Sequence, residues 1–519
     1  MLVDARTVAQ DGSIEADVCI IGAGAAGVTL AREFIGQPFN VCLLESGGLN
    51  YEAQTQALYQ GKTSGLPYTP LDACRLRYFG GSTNHWGGLC RPLDEMDFEA
   101  RPWIPHSGWP FGKAELDPFY RRAQSICQLG PYAYEVAAWQ SKERPPLPLV
   151  GDRMVSRVFQ NSPPTRFGQA YREEIRRAPN IRTLLHANVV NIETNATASA
   201  VTRLRVASLD GKRFWVRARQ FILATGGIEN ARLLLLSNQV QRTGLGNQHD
   251  LVGRYFADHV YLFSRNVVAL SNPRLPTGLY ETHTVRKTPV VAYLTPTPSA
   301  LRRERLANYS LWLYPQFWSK YSEGIGSFRA ILKDLRHGRL TEDFGQHVAN
   351  VMTDLDGVAG AIYRRLFGPL QLKLEYCAEL EPNPDNRVSL SHERDNLGQQ
   401  RVQLHFRMSE RDQLNMQRGV RLLGLEVGRA GLGRMKLDED ADNPLWLQAM
   451  RFGDHNMGTT RMHQDPRRGV VDADCRVHGI SNLYIAGSSV FPTYGHANPT
   501  FTIVALAVRL ADHVKRVMA

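Results

Sequence analysis

Residues 16–34 begin with a short apolar run, pass through Gly22-Ala-Gly24-Ala-Ala-Gly27, and continue with apolar residues at helical spacing. This pattern predicts a buried strand, a glycine turn and a helix. Residues 39–46 predict a second buried strand that closes on Glu45, so the two runs together form one βαβ unit. Residues 182–195 and 200–206 predict strands, Asp210-Gly211 a hairpin turn into 214–219, and residues 221–226 a third buried strand. Between 300 and 370, Leu311, Leu313, Tyr314, Phe317 and Trp318, then Ile331, Leu332 and Leu335, recur at a spacing that predicts helices with core-facing stripes. Residues 381–406 alternate as antiparallel strands do, with a turn at Asn396-Leu397-Gly398. Residues 499–518 predict a closing helix, apolar on one side, that ends in Lys515 and Arg516.

A chain of 519 residues is long enough for two or three domains. Its 43% hydrophobic and 21% charged residues exclude a mainly disordered or fibrous protein. No run reaches the ~18 apolar residues of a membrane span, and the first residues lack the layout of a secretory signal, so a cytoplasmic location is expected. The net charge of +11 is spread along the chain, without a basic arm or zinc-finger spacing, and no nucleic-acid partner is expected. The seven cysteines are scattered and never form Cys-x-x-Cys. They read as buried thiols, with neither a disulfide framework nor a metal site.

The glycine motif carries the first chemistry. Gly22 permits the tight turn, Gly24 lets backbone approach a pyrophosphate, and Gly27 lets helix and strand pack closely, with the helix N-terminus facing the phosphates. Glu45, 23 residues after Gly22, stands where an acid can accept hydrogen bonds from a ribose. This constellation binds a dinucleotide, and by itself it leaves NAD and FAD both open.

Two distant segments bear on that choice. One is Arg77-Tyr-Phe-Gly-Gly-Ser-Thr-Asn-His-Trp-Gly-Gly88. The other runs from Asp454-His-Asn-Met-Gly-Thr-Thr-Arg-Met462 through Asn482-Leu-Tyr-Ile-Ala-Gly-Ser488 to Pro492-Thr-Tyr-Gly-His-Ala-Asn-Pro-Thr500. Their order and spacing resemble the glucose-methanol-choline (GMC) family of FAD-dependent oxidoreductases. The resemblance covers the first 95 or so residues and the last 70, and more loosely takes in residues 224–230, 252–259 and 381–387. The Gly-Gly-x-x-x-His-Trp and Gly-x-Ala-Asn-Pro-Thr forms look most like pyranose oxidases, glycoside 3-oxidases and sugar dehydrogenases.

The resemblance implies FAD as cofactor, His455 as the active-site base and Asn498 as the second active-site residue. The residue types suit those roles. An imidazole is neutral near pH 7 and can accept an O–H proton, whereas a carboxamide does not titrate and can hold the hydroxyl in line. His496, two residues before Asn498, has no role in the family pattern, and His259 and His463 read as structural or flavin-adjacent. The resemblance further assigns Gly80, Gly81, Ser82, Asn84 and His85 to the flavin and its phosphates, and Val189 to the adenine. It places Gly487 and Ser488 by the diphosphate, and Pro499 and Thr500 at a helix N-terminus beneath the ring system. In some relatives the His of the His-Trp pair bonds covalently to the flavin. At His85 the covalent and noncovalent forms both stay open.

The implied architecture is α/β, or α+β overall. A Rossmann-like FAD-binding domain would come from residues 12–92, 180–260 and 450–519. A discontinuous substrate domain, an antiparallel sheet plus helices, would come from 93–179 and 261–449, with a helical insertion at 300–370 that lids the site or meets a partner. The implied function is oxidation of a secondary alcohol, a sugar or glycoside hydroxyl at C2 or C3, to a ketone. The alternatives are a non-sugar alcohol of small-molecule biosynthesis and a redox-silent FAD-containing lyase. Oxygen, a quinone or a redox partner protein could accept the electrons. Some relatives reach the periplasm with a signal-bearing partner subunit.

Overall fold

The computed structural model describes residues 1–163, 165–272, 274–315, 323–341, 343–367, 371–436 and 450–519. The predicted βαβ unit is present as the strand Val18–Ile21, the helix Ala25–Glu33 and the strand Val41–Leu44. All eight strand residues are buried, as expected where both faces of a parallel sheet are covered. Four more parallel strands extend the sheet, in the order Leu2–Asp4, Ile181–Leu185, Val41–Leu44, Val18–Ile21, Gln220–Leu223, Leu483–Ile485. The last helix, Thr500–Met518, packs against both Ala25–Glu33 and Lys113–Ile126, so the two ends of the chain close on one core.

The run 182–195 splits in two. Ile181–Leu185 joins the parallel sheet, and Asn188–Thr194 starts a four-stranded sheet with Val201–Ala207, Arg213–Arg217 and Ser13–Glu15. The break falls at His186, whose φ of 58° turns the chain out of the first sheet. Hydrophobicity runs on through this corner, so the pattern alone could not show it.

A nine-stranded, antiparallel-rich sheet carries the second half of the architecture. Its central strands are Val260–Leu270, Gln371–Ala378, Tyr309–Pro315, Thr288–Pro296 and Met154–Asn161. Here the helix expected at residues 311–314 is overturned: Leu311, Leu313 and Tyr314 lie in the strand Tyr309–Pro315, with Leu311 opposite Tyr376. A run of a few apolar residues fits either period, and a partner strand some sixty residues on decides the outcome. Phe317 and Trp318 lie outside the described residues. A short helix, Pro298–Glu304, precedes the strand Tyr309–Pro315. Three helices, Glu323–Arg336, Phe344–Thr353 and Leu355–Phe367, pack on one another around Ile325 and Val358. They rejoin the sheet at Gln371, while the other end of that strand, Ala378, pairs with Val260 beside His259. At ~3.3 Å per residue these two points are about 23 Å apart.

The strands Arg387–Arg394 and Gln400–Phe406 pair antiparallel as predicted, and Gly61–Gly65 adds a third strand. Among the described residues, no helix is long and apolar enough to cross a membrane, and no cluster of His, Cys, Asp or Glu could hold a metal.

Candidate active site

The carboxyl ends of four adjacent parallel strands open onto one cavity of about 530 Å³, in the range of small-molecule and cofactor sites. Three strand spacings of ~4.8 Å make its floor about 14 Å long, and Glu45, Gly22, Ala224–Gly226 and Gly487–Ser488 mark the four strand ends. Gly22 has φ +101°, and a Cβ there would sit 2.6 Å from the Ala224 carbonyl oxygen. At Gly27 a Cβ would lie 1.8 Å from the Gly22 oxygen, so this glycine sets the contact between helix and strand. Gly24, Gly226 and Gly487, in contrast, have no atom within 4 Å of where a Cβ would be. They present bare backbone to the cavity, the cradle that a dinucleotide phosphate requires. Gly27→Ala is therefore expected to yield folded but largely colourless protein, destabilised by about 1–3 kcal/mol; absorbance at the flavin band against a thermal melt measures both.

Glu45 lines the cavity, and its carboxylate also ties the turn together. Oε2 accepts from the Ala23 amide (2.9 Å) and Oε1 from the Gly47 amide (2.8 Å). Asn230 links two strand ends: its amide oxygen accepts from the Thr225 amide, and its nitrogen donates to the Ala486 carbonyl and Ser489 hydroxyl oxygens. Past Glu45 the wall turns charged. Arg75, Arg77 and Arg232 converge on Glu229 at 3.1, 3.3 and 3.2 Å, and Arg232 also meets Asp395 at 2.7 Å. Burial opposes the charge of Glu229, but the three guanidiniums hold it down to about 2. Sequence reasoning missed this cluster because its members come from three separate segments.

Of the cofactor residues expected from the sequence, Gly22, Gly24, Glu45, Gly81, Ser82, His85, Val189, Gly487, Ser488, Pro499 and Thr500 line the cavity. Gly27, Gly80 and Asn84 stand behind the wall. Asn84 donates to the Phe79 carbonyl oxygen, and a Cβ at Gly80 would run into Asn84. Ser488 donates to the Asn456 carbonyl oxygen (2.6 Å), which ties its strand end to the segment carrying His455. His85 is exposed on the cavity side. The Trp86 beside it is pinned, its indole donating to the Thr165 carbonyl oxygen and its own carbonyl accepting from Arg166. Yellow colour kept through acid precipitation, and lost in His85→Ala, separates a covalent flavin bond from a packing contact.

His455 and Asn498 come together at the opposite end from Glu45, 43 residues apart in sequence. Asn498 Nδ2 lies 3.4 Å from His455 Nε2 and 3.5 Å from the Tyr261 hydroxyl oxygen. The His455 amide donates to Asp258 Oδ1 (2.8 Å), and Tyr68 donates to Oδ2 of the same carboxyl (2.5 Å). Burial, then the neighbouring His259, push His455 well below the usual histidine range, so the ring is neutral at pH 7. His259, read as structural or flavin-adjacent, contacts His455 directly, with Nδ1 to Nδ1 at 2.9 Å. His496 is excluded from the cavity. It is 2% exposed, and neither ring nitrogen has a partner among the described residues. The site thus pairs a neutral imidazole nitrogen with an amide donor at one end of a dinucleotide cradle, an arrangement that can take a proton from a hydroxyl while orienting its oxygen.

Comparison with known proteins bears on the family and the fold. Residues 17–337 match the family model described as FAD dependent oxidoreductase, and residues 382–507 match that described as GMC oxidoreductase. The 6'''-hydroxyparomomycin C oxidase of Streptomyces lividus is 26% identical, over 96% of this chain and 92% of its own. A C-glycoside 3-oxidase of Microbacterium trichothecenolyticum is 33% identical, over 27% of this chain and 26% of its own. Among solved structures, the formate oxidase of Aspergillus oryzae RIB40 superposes with a TM-score of 0.57 at 18% identity, covering 98% of this chain and 99% of that one; this likeness is one of fold.

Proposed function

The chain belongs to the FAD-dependent oxidoreductases of the GMC family, enzymes acting on alcohol groups, and we propose that it oxidises a secondary ring hydroxyl of a sugar or glycoside to a ketone. The observation that carries this reading is the pairing of His455 Nε2 with the Asn498 amide on the cavity wall. The glycoside substrates in the relatives' names support the substrate class.

FAD, when bound, supplies the acceptor for the hydride that leaves the carbinol carbon. Gly22, Gly24, Gly226, Gly487 and the N-terminus of Ala25–Glu33 would hold its phosphates, and Val189 its adenine. His455 takes the hydroxyl proton at Nε2. Asn498 donates from its amide to the same oxygen and keeps that hydrogen bond as the oxygen becomes a carbonyl. The first turn of Thr500–Met518, on the same wall, favours negative charge in front of it. Asn498→Ala removes one neutral hydrogen bond and is expected to slow flavin reduction about tenfold without changing its pH dependence. Anaerobic stopped-flow across pH checks both expectations.

The test of the reading as a whole is an anaerobic flavin-bleaching screen with D-glucose, methyl glycosides, an aminoglycoside and cyclic and aryl alcohols. Oxygen, a quinone and cytochrome c are then added in turn to find the acceptor. Bleaching by sugars with a keto product supports the proposal. An aldehyde product moves the reaction to a hydroxymethyl group, bleaching by non-sugar alcohols alone replaces the substrate class, and a yellow protein that no alcohol bleaches is redox-silent.

A further inference from the structure

His259 is 0% exposed, and both of its ring nitrogens are engaged. Nε2 faces the carbonyl oxygen of Gly495 at 2.9 Å, and Nδ1 faces Nδ1 of His455 at 2.9 Å. A carbonyl oxygen only accepts, so the His259 proton sits on Nε2 and points at Gly495. The ring is neutral: burial pushes it down to about 4, against the opposing pulls of the Gly495 carbonyl and the Glu379 carboxylate. Its Nδ1 is therefore a bare lone pair. Two ring nitrogens at 2.9 Å share one proton, and that proton must belong to His455 Nδ1. His455 Nε2 is left unprotonated, facing Asn498 and the cavity.

We propose that His259 is a positioning residue that selects the Nδ1–H tautomer of His455 and so leaves Nε2 free to take the proton of the substrate hydroxyl. This rests on the reading of His455 as base. The arrangement follows the logic of catalytic triads, in which a third group holds the base in one tautomer, except that the third group here is a neutral imidazole. A carboxylate in that place would raise the proton affinity of His455 as well as orient it. A neutral acceptor fixes the tautomer and leaves the base unprotonated at and below neutral pH.

The surroundings hold His259 to this task. Tyr494 lies edge-on to it with ring centroids 4.9 Å apart. The amides of Tyr494 and Gly495 both donate to Glu379 Oε1 at 3.1 Å, which fixes the loop whose carbonyl orients His259. The titratable groups around the ring are His455, Tyr494, Glu379, His496 and the preceding Asp258. Tyr494 is pushed up and His496 down, by burial first, so neither brings a charge to the ring at pH 7. Burial pushes Asp258 up to about 7, so it gains its charge as the pH rises past neutral, and its carboxyl accepts from the His455 amide and Tyr68.

The test uses FAD-loaded protein labelled with ¹⁵N-histidine, with His455 assigned by its loss in His455→Ala. Wild type is expected to show His455 protonated at Nδ1. His259→Phe, which keeps the bulk and removes both nitrogens, should shift it to the Nε2–H form and slow anaerobic flavin reduction by about 10²- to 10⁴-fold. His259→Gln can donate to Gly495 and accept from His455, and should restore the Nδ1–H signal and keep the rate within about tenfold of wild type. The reducing sugar is the fastest of the bleaching screen. An Nε2–H signal in wild type, or an unchanged tautomer in His259→Phe, overturns the proposal, and the wild-type spectrum decides even if His259→Phe does not fold. A full rate in His455→Ala overturns the base instead, a result the tautomer spectra do not depend on.

Discussion

His455→Ala is expected to purify yellow and folded, and to reduce its flavin two to four orders of magnitude more slowly than wild type. The cofactor should stay because the Gly22–Gly24 turn and Glu45 belong to the strand ends farther from His455, and Glu45 accepts its hydrogen bonds from Ala23 and Gly47. The rate should fall because, among the described residues, no other titratable nitrogen lies within hydrogen-bond reach of the Asn498 side chain: the partner of His455 Nδ1 is His259, whose remaining nitrogen is committed to Gly495. A loss of 10²–10⁴ corresponds to about 3–5 kcal/mol of barrier. In wild type, burial and His259 hold His455 below the usual histidine range. The base is unprotonated above its pKa, so reduction should stay on a plateau as the pH falls through 6.5 and decline only below it. His496→Ala is the control. Its ring is sealed from the cavity, and most of the rate should survive its removal. Stopped-flow bleaching of the three proteins across pH reads every arm. A near-wild-type rate in His455→Ala, or a collapse in His496→Ala alone, would place the base on the wrong histidine.

How much of this was legible in the sequence follows from how local each signal is. The strand, glycine turn, helix and strand-end acid lie within thirty residues, and each glycine has a steric reason visible in the letters. That unit is found where it was expected. The sequence also placed His455 and Asn498 in motifs, and the fold brings the two side chains within 3.4 Å. What it could not show is contact across sequence. Asp258-His259 was visible as part of a motif, but its meeting with a residue 196 positions later depends on the antiparallel pairing of Met450–Phe452 with the start of Val260–Leu270. The strand Tyr309–Pro315 was missed for the same reason, since its identity is set by the pairing with Gln371–Ala378. Asn84 was assigned to the flavin from its place beside His85, whereas its amide is used to hold the Phe79 turn.

The largest stability effect is expected at a pair that sequence reasoning did not single out. Arg101 and Glu379 meet through two hydrogen bonds, 2.9 and 3.0 Å, with side chains 0% and 1% exposed. Glu379 also accepts from the amides of Asn308, Tyr494 and Gly495. Glu379→Ala strands a buried guanidinium and frees three backbone donors, and should cost about 3–5 kcal/mol of folding stability. Arg101→Met is the milder change, because the carboxylate keeps its three amide donors and can be neutralised by a proton. The two substitutions should also differ in their response to pH. In wild type, burial pushes the Glu379 carboxyl up, but Arg101 and the amides outweigh it and hold the group below its ordinary value. Its contribution is therefore present at neutral pH and is lost only as acid titrates it through that lowered pKa. Without Arg101 the effect of burial prevails, the folded state binds a proton more tightly than the unfolded chain, and stability rises as the pH falls. The deficit of Arg101→Met against wild type should thus shrink between pH 7 and pH 5, while that of Glu379→Ala should not. Urea unfolding at both pH values measures this. An equal deficit for Arg101→Met at the two pH values would mean that the carboxyl stays charged without its partner, held by the three amides alone.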